Sequence, residues 1–133
     1  MSWVHDNEIL SYVVDLQRDI LVLNTIYESE SKTEYTDVVF EGVLCHMFEH
    51  VLSGSIILDI RDYDILHFFK DDRNQELLTR SKNHAWPVMY DTIEDLRKKL
   101  IEEQYKYVVV YSSYGLSGWV IAKNYSINSK NKE

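Results

Sequence analysis

Residues 36–51 read TDVVFEGVLCHMFEHV, and whether this stretch is strand or helix decides the fold. His46, Glu49 and His50 spell H-x-x-E-H, the order in which one class of zinc peptidase holds its metal with two histidines and activates water with the glutamate. That chemistry needs a helix, because only a helical turn brings imidazoles four residues apart onto one side. Phe40, Val43, Leu44, Met47, Phe48 and Val51 do fall at helical intervals. The lead-in VVFEGV, however, is β-branched and carries a glycine, which favours strand. A third ligand would have to come from Glu94, Glu102 or Glu103, with no supporting motif, and peptidases with this signature are much larger. As a strand, the segment places His46 and His50 with Phe48 on one face, and Cys45 and Glu49 on the other. The reading adopted is a long strand over residues 36–48, no metal, and a pair of imidazoles at its end.

Similar runs lie on both sides. Residues 8–16, EILSYVVDL, and 19–27, DILVLNTIY, read as a hairpin joined near Gln17 and Arg18 by a turn longer than two residues. ESESKTEY, 28–35, reads as an exposed loop or strand end. SIILDI, 55–60, follows Ser53 and Gly54 as a fourth strand. Helical spacing then takes over at Ile65, Leu66, Phe68, Phe69, Leu77 and Leu78, interrupted by the polar DDRNQE. Trp86-Pro87 must lie outside a helix interior. Asp91 to Glu94 forms a variant capping box ahead of a helix over about 92–104, with Ile93, Leu96, Leu100 and Ile101 as its stripe. Glu94 with Lys98, and Asp95 with Lys99, are spaced for ion pairs. YKYVVVYSS, 105–113, and GWVIAKNYSI, 118–127, close the chain as a hairpin turning at Gly115. The expected architecture is a single α+β domain over 1–127 with a polar tail at 128–133. It has a mainly antiparallel sheet of about six strands, with two helices inserted between strands four and five.

Composition narrows the function. The chain has 133 residues, enough for one core that buries about two-thirds of its unfolded surface. Ten tyrosines against four glycines and one proline favour sheet with aromatic packing over loop-rich structure. The net charge of −8 repels phosphate backbones and anionic headgroups, so neither nucleic acid nor membrane is an expected partner, whereas a basic protein would be drawn in. One cysteine, Cys45, permits no internal disulfide and fits a reducing compartment. The opening residues carry no basic-then-apolar leader, and the expected location is cytoplasmic.

Phosphate-cradling and nucleophile motifs do not appear: there is no G-x-G-x-x-G, no G-x-x-x-x-G-K and no G-x-S-x-G, so no cofactor and no enzymatic activity are expected. The acids Asp59, Asp62 and Asp64 lack the glycine and glutamate of a calcium loop. With Asp71 and Asp72 they are the candidate contact acids for a protein partner, a solvated acidic rim being the alternative. Among Tyr105, Tyr107, Tyr111, Tyr114 and Trp119, the first three share strand parity and read as packing, while Tyr114, at the turn, is the exposed candidate.

The order DNEILSYVVDLQRDILVLNTIY, TDVVFEGVLCHMFEH, SIILDI and YVVVYSSYGLSGWVIAKNY, with the phrases VVFEGV and YSSYGLSGW, resembles a group of small uncharacterised proteins of Bacillus and related Firmicutes. Some members are encoded near wall-associated polymorphic toxins, and the group is held to contain immunity proteins. The resemblance implies an immunity-type inhibitor of a basic toxin and brings no catalytic residues. The alternatives are a small-ligand or metal-binding domain using His46, Glu49 and His50, and a homo-oligomeric subunit that self-associates through a sheet edge.

Overall fold

In the computed structural model, which describes residues 4–130, the chain forms β1 (Glu8–Asp15), β2 (Ile20–Glu28), β3 (Thr33–Glu41), β4 (Cys45–Glu49), β5 (Ile56–Asp64), α1 (Leu66–Lys70), α2 (Asp72–Ser81), α3 (Ile93–Glu102), β6 (Lys106–Tyr114), β7 (Ser117–Ala122) and β8 (Asn124–Ser129). A short 3-10 turn, Lys82–His84, follows α2. The α+β class and the antiparallel sheet agree with the sequence reading. Among the described residues the strand count is eight, and the helices lie between β5 and β6, not between a fourth and fifth strand. The cause is local. The long segment 36–48 breaks at Gly42, whose φ of 64° turns the chain, and the last segment breaks at Lys123, so each expected long strand becomes two.

These two breaks face one another. β3 pairs with β8 from Thr36↔Ser129 to Glu41↔Asn124, and β4 pairs with β7 from Cys45↔Ile121 to Glu49↔Ser117. The Lys123 N–H donates to Glu41 O (3.1 Å) and Gly42 O (3.2 Å), and the Leu44 N–H donates to Ile121 O (2.8 Å), which carries the ladder through the bend. The sheet order β4-β7-β6-β5-β1-β2-β3-β8 therefore returns on itself, since its two ends continue β3 and β7. It is a bent barrel.

Strand alternation then makes two cores. Leu21, Leu23, Val38, Phe40, Val108, Val110, Val120 and Ala122 point inward and are fully buried. Inside, the Asn7 amide donates to Thr25 Oγ1 (3.0 Å), and Thr25 Oγ1 donates to Thr36 O (2.7 Å). Outside, Cys45, Tyr107, Trp119 and Ile121 face Phe68, Phe69, Leu78, Leu96 and Leu100 of the helices. β7 is buried on both faces, which explains its nearly unbroken apolar run.

Caps and turns follow side-chain chemistry. Asp15 Oδ1 accepts from the Gln17 and Arg18 amides and sets the β1–β2 turn over residues 16–19. Asp71, in extended conformation, ends α1 and caps α2, accepting from the Arg73 and Asn74 amides, so the interrupted helical region yields two α-helices in place of one and, with α3, the described residues form three in place of two. The α3 cap is Thr92, accepting from the Asp95 amide, one residue after the expected Asp91. Of the expected stripe, Leu96 and Leu100 are buried while Ile93 and Ile101 are exposed. Glu94 pairs with Arg97, and Lys99 with Glu103, in place of the expected Glu94–Lys98 and Asp95–Lys99 pairs. β8 continues to Ser129, and residues 131–133 of the expected tail lie outside the described residues.

Gly118 has φ 152°, and a Cβ there would stand 2.0 Å from Met47 O. Gly118→Ala must push β4 from β7. It is expected to lower stability by about 3 kcal/mol, read as a shifted midpoint in urea unfolding with an unchanged slope.

Candidate functional site

Where the helices lean away from the outer sheet face they leave a cleft of about 800 Å³. One wall is sheet. Tyr107, Val109 and Tyr111 project from β6 at every second residue, Ser117 to Trp119 come from β7, Met47 and Glu49 from β4, and Tyr63 from β5. The other wall is helical, with His67 from α1, Asp71 before α2, and Arg73, Asn74, Glu76, Leu77 and Arg80 from α2.

Hydrogen bonds hold the floor. Asn74, buried on the same side of α2 as Leu78, donates through Nδ2 to Phe68 O (3.2 Å) and to Tyr107 OH (3.1 Å). This ties the end of α1 to the sheet. Tyr63 OH and Tyr111 OH meet at 2.8 Å, and the His67 ring lies 5.1 Å from the Tyr63 ring. Trp119 packs edge-on to Phe68 at 5.2 Å and lies 6.0 Å from Tyr107. At the rim, Arg73 Nη2 reaches both Glu49 oxygens at 2.7 and 2.6 Å, strapping α2 to the end of β4.

These contacts set the charge states. Hydrogen bonding and attraction from Arg73 hold the Glu49 carboxyl below its ordinary range. Burial raises Tyr107, opposed by its hydrogen bond from Asn74. Burial, and then its bond to Tyr63, push Tyr111 up to about 12. The cleft thus has a neutral aromatic floor and a charged rim, an arrangement suited to holding a side chain or small molecule with an apolar body and a polar end. Cys45 lies on the same strand face but is buried, and burial pushes its thiol far up, which keeps it protonated.

The H-x-x-E-H residues are not brought together. Opposite residues of an antiparallel pair share a face, so His46, across from Val120, points into the barrel, while Glu49, across from Ser117, points to the cleft. His50, with φ 58°, has already left the strand. The helical turn that ligation needs is not formed. Among the described residues no three His, Cys, Asp or Glu side chains cluster as metal ligands.

The candidate acids are similarly divided. Asp59 lies opposite Tyr111 on the outer face and bonds Arg61 Nε at 2.7 Å. Asp62 lies opposite Val108 on the inner face, its Oδ1 3.5 Å from Tyr125 OH. Asp64 accepts from the Leu66 amide at the start of α1, Asp71 caps α2 and lines the cleft, and Asp72 is exposed in the first turn of α2. Tyr114 is 56% exposed at the end of β6, beside Gly54 and away from the cleft lining. The adjoining Gly115, φ 83°, leaves no room for a Cβ against Ser55, whose Oγ accepts from the Leu116 amide (2.9 Å).

Sequence reading did not single out Tyr63, His67, Arg73 or Asn74. The available signal was Asn74, four residues before Leu78 and so on the helix stripe that faces the core. Comparison with protein-family models, with curated proteins and with solved structures gives no match.

A tyrosine raised by folding stabilises the protein below the unfolded value of about 10 and loses that contribution as pH climbs toward its folded value. Absorbance titration at alkaline pH, compared with Tyr111→Phe, is expected to show one phenol ionising near 12. In Tyr63→Phe that phenol shifts downward, because one of the contacts raising it is removed.

Proposed function

We propose that this chain is a non-enzymatic protein-binding module, an immunity-type inhibitor that docks on a basic toxin domain in the cytoplasm. The observation that carries this reading is a charge of −8 on a chain with a cleft whose floor is aromatic and whose rim includes Glu49, Asp71 and Glu76 beside Arg73 and Arg80. An arginine or lysine of the partner entering the cleft meets the Tyr63, Tyr111 and Trp119 rings, with Asp71 and Glu76 attracting its charge against the repulsion of Arg73 and Arg80. Asp59, Asp62, Asp64 and Asp72 contribute to the field that steers the encounter, and Tyr114 offers a separate aromatic contact. No described helix is long and apolar enough to cross a membrane.

A second reading, a small-ligand site, is favoured by the cleft's volume, which falls in the range of such sites. It would use Glu49 but neither His46 nor His50.

The test is binding, followed by surface plasmon resonance, to the cationic domains of any secreted proteins encoded beside the gene. Association is expected to slow at least about tenfold as salt rises from about 50 to 500 mM, because exposed charges are screened. Asp72→Asn with Glu76→Gln should slow it at low salt and leave folding unchanged. Salt-insensitive binding, or no binding to any cationic neighbour, sinks the inhibitor reading. A rise in melting temperature with a small molecule in place of a protein supports the second.

A further inference from the structure

The barrel has one seam. β1 meets β5 at a single register position, Glu8↔Ile56, and the last backbone bond on that side runs from the Ile9 N–H to Ser55 O (2.8 Å). Beyond it, residues 10–15 pair with β2 alone among the described residues. The uncovered edge reads LSYVVD, with no proline and with Asp15 at its end as its one charge, so the devices by which sheet edges are ordinarily protected from pairing are missing over residues 10–14. Leu10, Val13 and Leu16 are 51, 56 and 83% exposed along it.

We infer that this edge is the interface for a second copy of the same chain, joined by antiparallel β1–β1 pairing about a two-fold axis through Val13. The backbone geometry selects that register. Asn7 O and Ile9 N face β5, so Ile9↔Thr25 is a non-hydrogen-bonded pair with β2. The bulge between Ile9 and Ser11 shifts the alternation by one, leaving the N–H and C=O of Tyr12 and Val14 directed outward. With Val13 on the axis, Tyr12 of each copy lies opposite Val14 of the other, and the outward groups of both meet. Leu10 then faces Leu16, and Asp15 faces Ser11. Arg18, exposed in the turn and 3.9 Å from its own Asp15, comes to the end of the pair where the other copy's Glu8 lies. No like charges oppose across the seam, so two copies pair there despite their shared negative charge.

Sedimentation of the full chain over two decades of micromolar concentration tests this, together with hydrogen exchange. The expected result is a dimer that dissociates on dilution, with Tyr12 and Val14 amides protected only at the higher concentrations. Val13→Lys, which sets two ammonium groups on the axis, should give a monomer with an unchanged circular dichroism spectrum. Glu8→Lys should weaken the dimer about tenfold, and adding Arg18→Glu should restore it, because the pair is then reversed and not lost. A monomer at every concentration, a dimer indifferent to Val13→Lys, or an edge that pairs only with a foreign peptide strand would each overturn the assignment.

Discussion

The structure depends on one close approach, that of β4 to β7 and of β3 to β8 across a shared bend. A straight strand over 36–48 would leave the sheet open and its inner face wet. Gly42 and Lys123 bend the two segments together, and the backbone bonds across the bend keep them in register. Gly118 permits the tightest contact, backbone against backbone at Met47. Closing the sheet shelters the inner side chains, and the same closure frees the outer face of β4, β7 and β6 to take the helices. Both cores follow from it.

The cleft is a consequence of how the second core is filled. Phe68, Phe69, Leu96 and Leu100 cover one part of the outer sheet face, but α1 is short and ends at Asp71. Past that point Asn74 and Arg73 make polar ties to Tyr107 and Glu49 where apolar packing would otherwise close the gap. Buried amides hold their geometry because losing a partner costs more than the bond contributes. Asn74 therefore fixes the floor, whereas the exposed Arg73–Glu49 strap, screened by solvent, governs the mouth.

Much of this was legible in the residues, and the limits have physical causes. Hydrophobic period marked the strands, the helical region and α3, because alternation and helical spacing act within a few residues. The break at Gly42 was visible as a glycine, but its consequence was not, since closure depends on Lys123, 81 residues away. The capping residue was misplaced by one because Asp91 and Thr92 both carry suitable oxygens, and the phase that buries Leu96 and Leu100 chooses between them. H-x-x-E-H has the same spelling on a strand as on a helix. Only the pairing with β7 sends His46 inward and Glu49 outward. Tyr107 and Tyr111 read as packing from parity alone. Tyr107 does pack, yet the helices stop short above the more exposed Tyr111, and no local pattern reports where a helix ends in space.

The acids illustrate how one group serves structure and surface together. Asp64 and Asp71 accept backbone N–H bonds at helix starts, and Asp72 occupies the first turn of α2. Such positions favour negative charge, since the unsatisfied amides there carry partial positive charge. Asp71, which ends α1 and caps α2, thus also stands beside the cleft. Asp59 differs, because the Arg61 guanidinium pairs with its carboxylate at 2.7 Å. Charge counted along the sequence treats these acids alike. The fold grades them, since of these acids it is Asp71, where the polypeptide changes from one helix to the next, that lines the cleft, together with Arg73 and Arg80.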